Sequence, residues 1–162
     1  MPGRPRTIRG DERGFTLVEL VLVILLMGIV FAIASSTWFG AIESRRVDAA
    51  TNQVVADLRL AHTQAIDRLT DSSFIVPSAN SPTYQIGPAG NLDTRSLPDD
   101  NQPTPRTKIL DATTIVFKAD GSAQSAQAVG GIVTIRVSST KDPTKFHTIK
   151  VNITTSRIQV VP

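Results

Sequence analysis

Arg13-Gly14-Phe15-Thr16-Leu17-Val18-Glu19-Leu20-Val21-Leu22-Val23-Ile24-Leu25-Leu26-Met27 is the stretch that decides the fold. A glycine and a phenylalanine stand where a basic leader meets a long apolar run. From residue 15 to residue 35 the only charge is Glu19. About 20 helical residues at 1.5 Å each cross the ~30 Å hydrocarbon core, so this segment can span a bilayer once. An ionisable group at the bilayer centre costs roughly 2.5–3.5 kcal/mol, so Glu19 needs a reason to be there.

Upstream, Arg4, Arg6, Arg9 and Arg13 outnumber Asp11 and Glu12. This basic excess favours an N-terminus kept in the cytoplasm, with the rest of the chain sent across the inner, cytoplasmic membrane. Two plainer readings stand beside assembly as the role of this segment. One is an uncleaved signal anchor. The other is a secretory signal peptide cut after Ala32-Ile33-Ala34, leaving Ser35 first. Against the second, the apolar run exceeds the usual ~7–15 residues of a signal-peptide core.

Downstream, Val47, Ala50, Val54, Leu58, Ala61, Ala65 and Leu69 recur at spacings of three and four, one apolar stripe on an amphipathic helix. Arg45, Arg46, Asp48, Asn52, Asp57, Arg59 and Arg68 fall outside it. No proline interrupts residues 15–70, which predicts one helix of about 55 residues, roughly 80 Å long. Gly28 and Gly40 are its weakest interior points, and Trp38 and Phe39 suit a membrane-interface belt.

From Asp71 onward short β-prone runs alternate with turn residues. Strands are expected at residues 73–76, 83–86, 107–110, 114–118, 131–138, 145–153 and 157–161. Val133, Ile135 and Val137 pair by pattern with Ile149, Val151 and Ile153 across a turn at Lys141-Asp142-Pro143. Ile158 and Val160 are expected to face inward on a third strand, and Asp120-Gly121 marks another tight turn. Residues 87–106, with Pro88, Pro98, Pro103 and Pro105, read as one long loop. The fold class is thus α+β, a long N-terminal helix packed on an antiparallel β-sheet. Its parts are a leader (1–14), a membrane half (15–40), an amphipathic half of the same helix (41–70) and a β-rich external domain (71–162).

The motif Gly14-Phe15-Thr16-Leu17-Val18-Glu19, after a short basic leader, resembles the processing site of type IV prepilins and type II secretion pseudopilins. The resemblance implies cleavage after Gly14 by a prepilin peptidase and N-methylation of Phe15. It also implies a role for Glu19 in pairing with a neighbouring subunit. Leu58-x-x-Ala61-x-x-x-Ala65-Ile66-Asp67-Arg68, Ile115-Val116-Phe117-Lys118-Ala119-Asp120-Gly121 and the segment 149–160 resemble the H-type minor pseudopilins and FimT-like minor pilins. His62 departs from the arginine common in that subgroup, and Ser156-Arg157-Ile158-Gln159 only partly matches its glycine-arginine ending. The implied partners are the prepilin peptidase, other pilin or pseudopilin subunits, an inner-membrane assembly platform and, before assembly, the lipid bilayer. The implied task is protein secretion, or a type IV pilus, with the C-terminal domain periplasmic or extracellular.

Other chemistry is thinly represented. There is no cysteine, which excludes disulfides, thiolate metal sites and Cys nucleophiles. His62 and His147 are the only histidines, and no P-loop, G-x-S-x-G, H-E-x-x-H or Rossmann pattern occurs. No enzyme, catalytic residue, cofactor or metal is expected. Asn91, Asp93, Asp99, Asp100 and Asn101 carry oxygen ligands of the kind calcium takes, but without EF-hand spacing. Removing the leader lowers the net charge from +3 to +1, so the sequence pI of about 9.7 exaggerates how basic the remainder is. The alternative function is a DNA-binding minor pilin of a DNA-uptake pilus, with Arg136, Lys150 and Arg157 as a basic patch on the outer sheet face.

Overall fold

The computed structural model describes residues 15–98 and 104–161, the side chains of Ser36 and Thr37 excepted. The leader 1–14 and the centre of the proline-rich segment lie outside the described residues. The chain divides into two compact units between Phe39 and Gly40.

Helix α1 (Leu17–Arg68) forms over the uninterrupted apolar and amphipathic runs, continuing through Gly28 and Gly40. In the first unit its large apolar side chains are exposed, Leu17 at 79% and Phe31 at 76%. In the second unit the stripe is buried from Val47 through Ala65. Leu69, expected to end that stripe, is 77% exposed instead. The helix stops at Arg68 because Leu69 adopts a left-handed φ of 51°. The Leu69 N–H donates to Ile66 O at 3.3 Å and the Thr70 N–H to Ala65 O at 3.2 Å, the paired bonds of a Schellman cap.

Among the described residues nine strands follow. Strands β1 (Ser72–Val76), β2 (Thr83–Pro88), β3 (Asp93–Ser96), β5 (Thr113–Phe117) and β6 (Ala123–Gln124) form one sheet in the order β3-β2-β1-β5-β6. Strands β4 (Thr107–Ile109), β7 (Ile132–Ser139), β8 (Phe146–Asn152) and β9 (Ile158–Val161) form a second, ordered β4-β7-β8-β9. Every pairing is antiparallel. The α+β expectation therefore holds, with the β-region divided between two sheets. They are stitched together by backbone bonds, Ile109 N–H to Ser81 O at 2.8 Å and Ala123 N–H to Ile153 O at 3.0 Å.

Alternation placed the inner face of β7 and β8 correctly, since Val133, Ile135, Val137, Ile149 and Val151 are all fully buried. With Leu58, Ala61, Phe74, Tyr84 and Phe117 they belong to one core between helix and sheets. Ala50, Ala61 and Ala65 are fully buried in the same core. Truncating a fully buried leucine such as Leu58 to alanine typically costs about 2–5 kcal/mol.

Three expectations about the β-region are corrected. Residues 87–106 are not one loop: β2 runs on to Pro88 and β3 adds a strand to the sheet edge. Pro88-Ala89-Gly90-Asn91 closes this hairpin, with the Asn91 N–H on Pro88 O at 3.0 Å and φ of 87° at Gly90. A Cβ at Gly87 would clash with the Asn91 carbonyl oxygen, so the turn requires glycine there. Leu97 then drops into the core, 3% exposed. Next, β6 forms where no strand was expected, a two-residue piece held by Phe117 and Val116. Finally, Val160 is 43% exposed rather than inward, because β9 is the last strand of its sheet and the core ends beneath Ile158.

Candidate functional site

The start of α1 is built by Thr16. Its Oγ1 accepts the Glu19 N–H at 3.2 Å, and its carbonyl accepts the Leu20 N–H at 3.1 Å. Thr16-x-x-Glu19 has the spacing of a capping box, a signal that the sequence carries locally. The glutamate therefore sits in the first helical turn, where the helix dipole favours negative charge. Phe15 is 79% exposed and Glu19 is exposed as well. Among the described residues no cation reaches the Glu19 carboxylate. Gly14 lies outside them. Beyond this turn α1 is long and apolar enough to cross a membrane, with a mean hydropathy of 3.0 over its most apolar window. Trp38 and Phe39 are exposed at 71% and 67%.

The second unit treats its helix carboxylates differently. Asp57, expected off the apolar stripe and thus solvated, is 4% exposed. Its Oδ2 accepts the Tyr84 hydroxyl and its Oδ1 accepts Arg95 Nη1, both at 2.5 Å. Gln53 Nε2 completes the group, donating to Tyr84 Oη and to Ser96 O at 2.9 Å each. Burial, and next the bond to Asp57, push the Tyr84 phenol well above its ordinary value. This network explains β3: Arg95 brings the cation that a buried carboxylate needs, and the strand follows it onto the sheet edge.

A second group gathers at Glu43, 8% exposed. Its Oε1 lies 3.0 Å from Arg46 Nη1 and 3.7 Å from Arg106 Nη1, while its Oε2 accepts the Ser139 hydroxyl at 3.0 Å. Ser139 Oγ in turn accepts the N–H groups of Lys141 and Asp142, organising the β7–β8 turn. Sequence spacing carried no signal for this cluster, whose members lie up to 96 residues apart.

The two histidines occupy separate places. His62 Nε2 is 3.1 Å from Gly121 O, and its ring meets Phe117 edge-on at 5.5 Å. Gly121 O also accepts the Ser156 hydroxyl at 2.6 Å, so the turn at Asp120-Gly121 joins helix, first sheet and second sheet. Asp120 accepts the side-chain hydroxyl and the backbone N–H of Ser122, which lower its carboxyl below the usual range. His147 Nε2 lies 2.6 Å from Asp48 Oδ1.

The expected basic patch is thinner than its sequence suggests. Arg136 faces outward but is bound by Asp111, Nε to Oδ2 at 3.0 Å and Nη2 to Oδ1 at 2.7 Å. The pair neutralises the charge a phosphate would need, leaving Lys150 and Arg157. Of the residues that suggested calcium, Asp93 pairs with Arg95 at 3.3 Å and Asn91 closes a turn. Asp99, Asp100 and Asn101 lie outside the described residues.

Residues 9–35 match the prokaryotic N-terminal methylation motif. Residues 50–155 match the family described as type II transport protein GspH. The type II secretion system protein H of Xanthomonas campestris pv. campestris is 33% identical over 69 residues. That alignment covers 43% of this chain and 41% of the relative's length. The type IV minor pilin FimU of Pseudomonas aeruginosa has a similar fold, with a TM-score of 0.52 at 14% identity over 71% of this chain and 92% of FimU. With a capped apolar helix opening on a methylation motif and its own sequence matched over residues 50–155, the chain belongs to the type II transport protein GspH family, with a pilin-like α+β fold.

Proposed function

We propose that the chain is a minor pseudopilin, a structural subunit of a type II secretion filament. It inserts with its N-terminus in the cytoplasm, is cut after Gly14 by a prepilin peptidase and is methylated at Phe15. From the inner membrane it enters the filament on an assembly platform, with residues 15–40 packed among other subunits. The observation that carries this reading is the pairing of the methylation motif at residues 9–35 with the GspH match at residues 50–155.

Glu19 supplies the chemistry. Cleavage creates an amine at Phe15, four residues upstream and on the same helix face. By helical rise the carboxylate lies only about 6 Å from the helix start, so its cost in the bilayer stays below the midplane figure. Packed among neighbouring helices it becomes buried and requires a cation. Thr16 satisfies a backbone donor and no charge, which leaves the Phe15 amine of an adjacent subunit as the partner. The pairing sets axial register and excludes uncleaved chains.

Mass spectrometry of the mature N-terminus tests the reading. Methyl-phenylalanine at position 15 is the expected result. Ser35 as first residue would identify a secreted domain and overturn it.

A further inference from the structure

Two shallow grooves meet on the outer face of the second sheet. One, of about 420 Å³, is lined by Asp111, Gln127, Val129 and Thr134. The other, of about 340 Å³, is lined by Asn152, Thr155, Arg157 and Gln159. Ile132 and Lys150 line both, so the grooves join across the β7–β8 pair.

Charge in these grooves is unbalanced. Arg95, Lys118 and Arg136 each meet a carboxylate. Among the described residues Lys150 and Arg157 meet none. Arg157 stands against the Gln159 side-chain amide, whose oxygen can accept from its Nε and Nη2. Asp111, the one acid in the lining, is already held by Arg136. Beside Lys150, on the β7 side away from Arg157, Ile132 is 38% exposed, and Val129 stands at 83% on the rim. Beside them β9 ends its sheet, so its outer backbone edge faces away from β8.

We infer that this face docks an acidic, extended segment of a partner protein. Its carboxylates meet Lys150 and Arg157, and an apolar side chain beside Lys150 covers Ile132. Charge complementarity selects the occupant: two cations without a carboxylate partner stand on adjacent strands with an exposed isoleucine to one side, and the groove amides suit a peptide backbone. Nucleic acid fits less well, because among the described residues no aromatic side chain lines either groove for base stacking and Arg136 is neutralised. The inference goes beyond the filament reading and does not rest on it.

The test uses the full chain in detergent micelles and fluorescence anisotropy at low salt. The probes are a labelled peptide of about ten residues alternating Glu and Val, its Gln-Val counterpart, and a thymidine oligonucleotide. The Glu-Val peptide is expected to bind at least about fivefold more tightly than Gln-Val. K150E/R157E is expected to weaken it by about tenfold or more, and Ile132→Asn by a smaller factor, while Lys145→Glu leaves it unchanged. All four sites are at least partly exposed, and unchanged circular dichroism establishes that the variants are folded. Equal affinity for both peptides, no binding up to about 1 mM, or retained binding by K150E/R157E overturns the inference. So does an oligonucleotide that binds as tightly as the acidic peptide. None of these outcomes touches the mature N-terminus, so this inference and the filament reading fail separately.

Discussion

The two units use carboxylates on the same helix in opposite ways. In the first, Glu19 is exposed amid exposed leucines and valines, and Thr16 answers its backbone but not its charge. In the second, Asp57 and Glu43 are buried and each has cations from its own chain, Arg95 for one, Arg46 and Arg106 for the other. A buried carboxylate must be compensated, and the second unit does this within one molecule. The first unit is apolar, exposed and uncompensated, the condition of a surface completed by other molecules.

Removing the carboxylate from each unit should therefore break different things. The largest effect is expected for Glu19→Ala, which should leave insertion and cleavage intact yet reduce filament incorporation by about tenfold or more. Cross-linking of assembled subunits measures this, and incorporation at the wild-type level would remove the register argument. Asp57→Ala should instead leave processing unaffected and destabilise the β-unit by about 2–4 kcal/mol. It leaves the Tyr84 O–H without its acceptor in the core, with only the bond from Gln53 remaining, whereas Arg95 is partly exposed and can recover water. Denaturant unfolding of the full chain in detergent reports the difference, and a loss under 1 kcal/mol, roughly the worth of an exposed pair, would contradict it.

Tyr84→Phe sharpens the same contrast through pH. The phenol is raised in the folded state, so its contribution is complete below its unfolded pKa of 10.0 and is lost as pH climbs above that value. Stability should fall by up to about 1.4 kcal/mol per pH unit above pH 10 in the wild type, and less steeply in the variant. Parallel curves would show that Tyr84 does not carry the slope. At neutral pH the substitution should cost about 1–2 kcal/mol, since Asp57 loses a donor but keeps Arg95 and the ring stays packed.

The smallest expected effect lies at the end of the shared helix. Leu69 holds a left-handed φ of 51° with its side chain in solvent. Leu69→Gly should relieve about 1–2 kcal/mol of backbone strain, offset in part by glycine's greater freedom when unfolded. A net gain of up to about 1 kcal/mol in thermal unfolding is expected, and destabilisation would mean that Leu69 packs against something.

Local patterns carried much of this molecule. Periods of three and four placed Val47 to Ala65 against the core, and alternation placed Val133 to Val137 opposite Ile149 and Val151. The junction at residues 14–19 carried the family resemblance. Errors arose where a residue's fate depends on distant chain. Asp57 looked solvated because its cation lies 38 residues away in a segment whose prolines suggested a loop. The turn at Pro88-Ala89-Gly90-Asn91 was a usable hairpin signal, overridden by that composition. The basic patch was overcounted because alternation sets which face a side chain takes but not what stands beside it. Asp111, on a different segment, decided the charge of Arg136.

By itself, then, the sequence determined most of the elements, β3 and β6 excepted, and the membrane-length helix with its carboxylate, because hydrophobic periodicity and capping act over a few neighbouring residues. Only the tertiary structure decided which charges are spent inside the molecule and which remain for partners. Pairing depends on distances of about 3 Å between segments that can lie nearly a hundred residues apart, and local spacing does not encode such distances.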